Sequence, residues 1–355
     1  MKVLMIGNHE SVHGGITSVI QQMLTHNWSS DDIEMKFLAT YRGGNTIKKI
    51  AYFSESLLKL CYRICFDKPD IVHIHMSHHG SFDRANLIQR ICKANKISVI
   101  IHLHGSEFEK YYLGCNSKKQ NKISGFFNAS DAVIVLGEKW KEFISTIATT
   151  SKVKVFNNSI EIPKNQICIN EREVKFLFLG VLFERKGVMD LLHAISMIYK
   201  ELESNEIKIS FNIAGTGPEE SKLKEYVQKA KIEKYVNFVG WISGEEKKRM
   251  LLNNHVLVLP SYNEGLPIAI LEAISFGLPI ISTNVGSIAE AVINNENGFL
   301  FTPGDVEALA NSILKLFSDA NLRYRMSKKS RTLAEEKFDD KKYFRRMELL
   351  YKKVL

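Results

Sequence analysis

No uninterrupted apolar run of about 18 residues, the length a membrane-spanning helix needs, occurs anywhere in the chain. The stretch Met1 to Gly7 is too short for a signal-peptide core before Asn8 and His9 break it. Both absences predict a cytoplasmic protein. The five cysteines, Cys61, Cys65, Cys92, Cys115 and Cys168, are odd in number and show neither CxxC spacing nor clustering, which argues against a disulfide framework or a zinc knot. Reduced, mostly buried thiols are expected. Repeats and low-complexity tracts are missing too, so neither a solenoid nor a fibre is indicated.

What is present fits a soluble globular protein. Of the 355 residues, 45% are hydrophobic and 25% charged, a balance without the signature of disorder. A chain of this length outgrows one core, so two domains of roughly 150 to 200 residues are expected. Residues 1–160 hold 20 Lys and Arg against 13 Asp and Glu, so most of the net charge of +9 belongs to the first half. Its basic residues, including Lys48, Lys49, Lys59, Arg63 and Lys68, form either a solvated surface or a face for anionic lipid headgroups or a pyrophosphate-linked acceptor. They do not gather with aromatics in a nucleic-acid motif, and no nucleic-acid partner is expected.

Apolar strand-like runs open the chain at Lys2 to Gly7 and recur at Ile71–His75, Ser98–His104 and Ala132–Leu136. Helical patterns at Ile16–Leu24, Ile50–Tyr62 and Phe82–Ala94 alternate with them. After a polar stretch from Asn157 to Glu173 the pattern restarts, with strands at Lys175–Gly180, Ile207–Ala214, Val236–Val239, Val256–Leu259 and Pro279–Ser282. Alternation of this kind predicts parallel sheets covered by helices, hence an α/β protein of two Rossmann-like domains facing across a cleft. The expected boundaries are 1–165, 166–338 and a C-terminal helix over 339–355. That helix carries Tyr343, Phe344, Met347, Leu350 and Tyr351 at helical spacing. Such a stripe docks on protein, here the N-terminal domain, or lies on a membrane surface.

Chemistry is expected where strands end. The strand Val256–Leu259 delivers Ser261-Tyr-Asn-Glu264 into a loop, and Pro267 suits the first turn of the helix that follows. Glu272 then lies on that helix, about 12 Å from Glu264 at 1.5 Å per residue. Two carboxylates so far apart cannot act on one atom. They can grip one extended ligand at two points, with the N–H groups of Gly265 and Leu266 aimed between them. The plainer reading makes Glu264 a complement to the helix dipole and Glu272 a surface residue.

The string from Leu259 to Ile280, LPSYNEGLPIAILEAISFGLPI, resembles the signature of glycosyltransferase family 4, the group 1 glycosyltransferases. The likeness extends through Ser282–Gly286, Glu290, Asn297–Leu300 and Pro303–Asp305, and earlier through Ala214–Pro218. It implies the GT-B fold, a nucleoside-diphosphate sugar donor with UDP favoured, retention of anomeric configuration and no metal or other cofactor. It makes Glu264 a partner of donor-sugar hydroxyls and Glu272 of the ribose. Arg185 and Lys186, in Val181-Leu-Phe-Glu-Arg-Lys-Gly187, become the cations for the departing diphosphate. Val181 stands where many members carry arginine, a role Arg185 can take over. Gly14 and Gly15 precede a helix as a similar pair does in the family, facing the donor phosphates and sugar. His104 resembles the family's active-site histidine. Together with His104, the histidines His73, His75, His78, His79 and His102 invite a metal site, but no acidic or cysteine ligands recur at matching offsets, and packing is expected of these other five. By this likeness the acceptor is a glycan or lipid-linked glycan of exopolysaccharide, capsule or O-antigen assembly at the inner membrane face. A nucleotide-sugar epimerase or hydrolase, and an idle nucleotide-sugar-binding scaffold, are the alternatives.

Overall fold

The structure, a computed structural model, describes residues 1–12, 14–28, 32–149, 152–167, 172–203 and 207–355. Cys168 lies outside them. The chain divides into two compact units: Met1–Asn157 with Tyr343–Leu355, and Asn158–Lys342.

In the first unit, β1 (Lys2–Asn8), β2 (Glu34–Tyr41), β3 (Ile71–Met76), β4 (Ser98–Leu103), β5 (Ala132–Val135) and β6 (Val153–Val155) form one parallel sheet in the order β2-β1-β3-β4-β5-β6. Its central strands are buried along their whole length, because helices cover both faces and neither can be polar. One face presents Leu4, Ile6, Val72, Ile74, Val99 and Ile101 to a core closed by α2 (Thr46–Phe66), α3 (Gly80–Ala94) and α5 (Ser117–Ala129). Asn45 starts α2 by accepting the Lys48 N–H, which satisfies one of the orphan donors of the first turn.

The opposite face meets α1 (Gly15–Thr25) and the last helix of the chain, Asp340–Val354. There Trp28 lies 5.4 Å from Phe344 and 5.7 Å from Tyr351 by ring centroid, and the Tyr343 hydroxyl approaches the Met23 sulfur at 3.8 Å. All five apolar residues of that terminal stripe are buried. It is therefore a docking helix, and the membrane-surface reading of it is overturned.

In the second unit, β7 (Glu173–Leu179), β8 (Lys208–Ala214), β9 (Val236–Gly240), β10 (Val256–Leu259), β11 (Ile280–Thr283) and β12 (Gly298–Phe301) give a parallel sheet ordered β12-β11-β10-β7-β8-β9. Counted from its own first strand this is the 3-2-1-4-5-6 order of the doubly wound nucleotide-binding fold. The strand order reverses between β7 and β10, which pair directly through Val256 and Phe176. The stretch before β7 is packed here as well: Asn158 donates to the Leu266 carbonyl, Ile160 N–H to that of Phe338 and Ile167 N–H to that of Phe276.

The thiols depart from expectation. Cys92 is buried and Cys115 half-buried, but Cys61 and Cys65 are exposed on α2, whose outward side is apolar rather than polar.

Candidate functional site

A switch in strand order leaves a crevice at the carboxyl ends of the two strands flanking it, since the loops after them turn to opposite faces. In the second unit those loops are Gly180–Gly187, after β7, and Pro260–Pro267, after β10. They are tied together along their length. The Tyr262 N–H donates to the Arg185 carbonyl at 2.8 Å, the Arg185 guanidinium to the Asn263 carbonyl at 3.1 Å, and the Lys186 ammonium to Glu264 Oε1 at 2.5 Å.

Two glycines allow this closeness. At Gly187 φ is +69°, and a Cβ there would sit 2.0 Å from the Pro260 carbonyl oxygen. At Gly286 φ is +56°, and a Cβ would sit 2.0 Å from the Glu264 carbonyl oxygen. Beside the latter, Ser287 N–H donates to the Gly265 carbonyl at 2.8 Å. The backbone of Glu264 is thus clamped between neighbouring loops. The side chains of Lys186 and Glu264 are only 16% and 9% exposed, so the pair is largely withdrawn from water and each charge depends on the other.

Pro267 stands one position outside the following helix, α10 (Ile268–Ser275), with ψ of 124°. It serves as the cap residue, not as part of the first turn. Among the described residues no acceptor takes the Gly265 or Leu266 N–H. Two backbone donors therefore remain unbonded beside a cation, an arrangement suited to an anion. Glu272, one turn into α10, is half-buried and not a surface residue. Lys247, on α9 (Gly244–Leu252), forms an ion pair with it. Burial raises the Glu272 carboxyl above its ordinary range, with Lys247 pulling the other way. Arg185 is exposed at the rim, and Val181 is half-buried without charge.

Lys186, Arg185, Glu264, Gly265 and Leu266 are thus brought together, with Glu272 further along the same segment. Sequence reasoning missed Lys247 and Asn158. Neither sits in a recognisable motif, and each meets the site only because the chain folds back from 25 and 108 residues away.

The remaining candidates belong to the first unit. Gly14 caps α1 with φ of +149°, which favours glycine, and a Cβ added to Gly14 or Gly15 would meet nothing within 4 Å. His104 follows β4 and ends a row of stacked imidazoles. Ring centroids lie 4.6 Å apart for His73 and His75, 4.9 Å for His75 and His102, and 4.1 Å for His102 and His104. His73, His75 and His102 bring one nitrogen each within 4.8 Å of one another. Their rings, however, are inclined by only 16° to 33°. Ligands of one tetrahedral ion aim in-plane lone pairs at it from different directions, whereas these rings lie side by side as a ladder across neighbouring strands.

Desolvation holds His73 and His104 down to about 3 and His75 and His102 well below their ordinary value, so the ladder is neutral. The Tyr351 hydroxyl meets His73 Nδ1 at 2.7 Å, and His75 Nδ1 meets His104 Nε2 at 2.9 Å. One proton serves the second contact. Placed on His75, it leaves a lone pair instead of an N–H without a partner at the buried His75 Nε2, the cheaper of the two defects. His104 then carries its own proton on Nδ1 and presents a neutral donor.

Residues 159–333 match the family described as glycosyl transferases group 1. An uncharacterized glycosyltransferase of Haemophilus influenzae is 30% identical over 211 residues, 58% of this chain and 57% of that protein, so this chain accounts for little more than half of the relative's length. UDP-Gal:alpha-D-GlcNAc-diphosphoundecaprenol alpha-1,3-galactosyltransferase of Escherichia coli is 28% identical over 302 residues, 78% of this chain and 73% of that one. Among solved structures, sucrose-phosphate synthase from Thermosynechococcus elongatus superimposes with a TM-score of 0.80 at 18% identity, covering 99% of this chain and 98% of that one. At that identity the likeness establishes the GT-B fold and nothing more.

Proposed function

We propose, for a chain that belongs to the group 1 glycosyltransferases, that it moves a sugar from a nucleoside diphosphate to a glycan or lipid-linked acceptor with retention of anomeric configuration. The observation that carries this reading is the Lys186–Glu264 pair, held at a strand-order switch beside two unbonded backbone N–H groups. A nucleotide sugar presents there what each group lacks. Its diphosphate meets Lys186, Arg185 and the Gly265 and Leu266 N–H groups, while sugar hydroxyls donate to Glu264. Glu272, kept in place by Lys247, accepts from the ribose.

When the glycosidic bond breaks, negative charge grows on the leaving phosphate, so fixed donors bind it more tightly in the transition state than before. Glu264 is occupied with hydroxyls, and no other carboxylate of the site is free to act as a nucleophile. A front-face displacement follows, in which the departing phosphate oxygen takes the acceptor proton while the acceptor oxygen bonds the anomeric carbon on that same face. His104, neutral and donating from Nδ1, serves as a hydrogen-bond donor to the sugar and not as a base. The phosphate charge is met by these cations and amides, so the reaction is expected to proceed without a metal ion. UDP is the favoured nucleotide, and the Escherichia coli relative, whose name specifies UDP-Gal and a diphosphoundecaprenol acceptor, supports both UDP and a lipid diphosphate.

Incubating the purified protein with a panel of nucleotide sugars, with and without membrane extract, tests the reading. Sugar transferred into the lipid or glycan fraction is expected. Altered free sugar would indicate an epimerase or hydrolase, and binding without turnover an idle scaffold.

A further inference from the structure

A surface helix of a globular protein is ordinarily apolar only toward its core. Helix α2 breaks this rule. Its inner side is accounted for: Ser56, Leu60 and Ile64 are buried, with Phe53 and Leu57 packed beside them. On the opposite side Ile47, Ile50, Leu58, Tyr62 and Phe66 are 62% to 78% exposed. At 100° per residue these five fall within roughly 80° of Leu58 on either side, and the row runs about 28 Å from Ile47 to Phe66. The positions between them are small or neutral, Ala51, Ser54, Cys61 and Cys65. The single acid there is Glu55, already paired with Lys59 at 2.6 Å.

One margin of the row is basic. By the same helical geometry Lys48 and Lys59 stand about 80° and 100° from Leu58, both on one flank, and Lys68 follows the helix end. No ion pair engages Lys48 or Lys68 among the described residues. A second copy laid on this face would set lysines against lysines. One helix face is also a narrow surface on which to hold a stable dimer, which takes about 800 Å² per partner. A bilayer with anionic headgroups meets both features at once, because apolar side chains sink to the boundary of the acyl chains while lysines reach lipid phosphates.

We propose that α2 is a membrane-docking helix that lies in the interface of an anionic bilayer. It gives the lipid-linked acceptor reading its physical setting and rests on that reading only for its purpose, since vesicle binding is measured without any sugar transfer.

The test is co-sedimentation of the full chain with vesicles of neutral phosphatidylcholine, or of phosphatidylcholine containing phosphatidylglycerol, at low and high salt. Binding to the anionic vesicles that weakens as salt rises is expected. The double variant Leu58→Glu, Phe66→Glu should lower the partition coefficient at least ~10-fold, because two exposed apolar anchors are lost without disturbing the core. Its turnover with a water-soluble acceptor should stay at the parent level. Lys48→Glu should weaken binding to anionic vesicles only. Recovery of the parent protein in the supernatant with every vesicle would overturn the proposal, as would a double variant that binds like the parent. A lipid-free dimer that the double variant dissolves would assign the face to a second copy instead. Vesicle binding without transferase activity would leave the docking helix standing and remove the proposed function.

Discussion

Lowering the pH from 7 to 5 should destabilise the first unit through its histidine ladder. His73, His75 and His102 are at most 5% exposed, and burial keeps them neutral, His73 down to about 3 and the other two well below their ordinary value. In the unfolded chain each regains a pKa near 6.5. Below that value the unfolded state binds protons that the fold refuses. The stability tied to these groups is therefore complete above about pH 6.5 and is lost as pH falls toward 3. The loss is about 1.4 kcal/mol per pH unit for a group held neutral, hence ~2 kcal/mol for His73 at pH 5, and His75 and His102 add to it in the same direction. That is a substantial share of the stability of an ordinary domain, about 5 to 15 kcal/mol. Urea unfolding at pH 7, 6 and 5, followed by tryptophan emission in a Trp241→Phe variant, reads the first unit alone, because Trp28 and Trp140 both lie in it. His102→Leu removes one titrating ring together with two nitrogens that have no partner among the described residues, and should flatten the slope by one proton. An unfolding free energy unchanged between pH 7 and 5 would refute the reasoning.

Other perturbations have definite outcomes. Lys186→Ala should lower kcat by about 10²-fold or more in a single-turnover assay, because a cation at the leaving phosphate acts mainly in the transition state. Gly187→Ala should cost several kcal/mol of stability or abolish donor binding, as φ of +69° and a Cβ 2.0 Å from a carbonyl oxygen cannot both be relieved in place; thermal unfolding and UDP titration read the two effects. Tyr351→Phe, which strips the partner from His73 Nδ1, should destabilise the chain by about 1 to 3 kcal/mol in urea. Chelation with EDTA should leave turnover unchanged, measured as nucleotide released.

How much of this was legible in the sequence depends on whether the signal was local. The central strands were found because a parallel strand buried on both faces is an uninterrupted apolar run, as in Ile71–Met76 and Val256–Leu259. The strand Glu34–Tyr41 was missed: it sits at the sheet edge and is half-buried, so Glu34 and Lys36 break its apolar pattern. Val153–Val155 was too short to stand out, and Gly298–Phe301, no shorter than strands that were found, is an edge strand that opens on a glycine. The loop carrying Glu264 was readable as one contiguous string. Lys247 was not, since its pairing with Glu272 arises from the packing of α9 beside α10. The terminal helix shows the other limit. Its apolar stripe and that of α2 look alike as sequences, and only the fold shows that one is covered and the other bare.

The central claim is that Lys186 holds the diphosphate and Glu264 the sugar of one donor. Calorimetric titration of UDP and of a UDP-sugar into the parent protein, Lys186→Ala and Glu264→Gln tests it most directly. Lys186→Ala should weaken both ligands, whereas Glu264→Gln should leave UDP nearly unaffected and remove the extra affinity contributed by the sugar. Parent-like binding of both ligands by both variants would contradict the account.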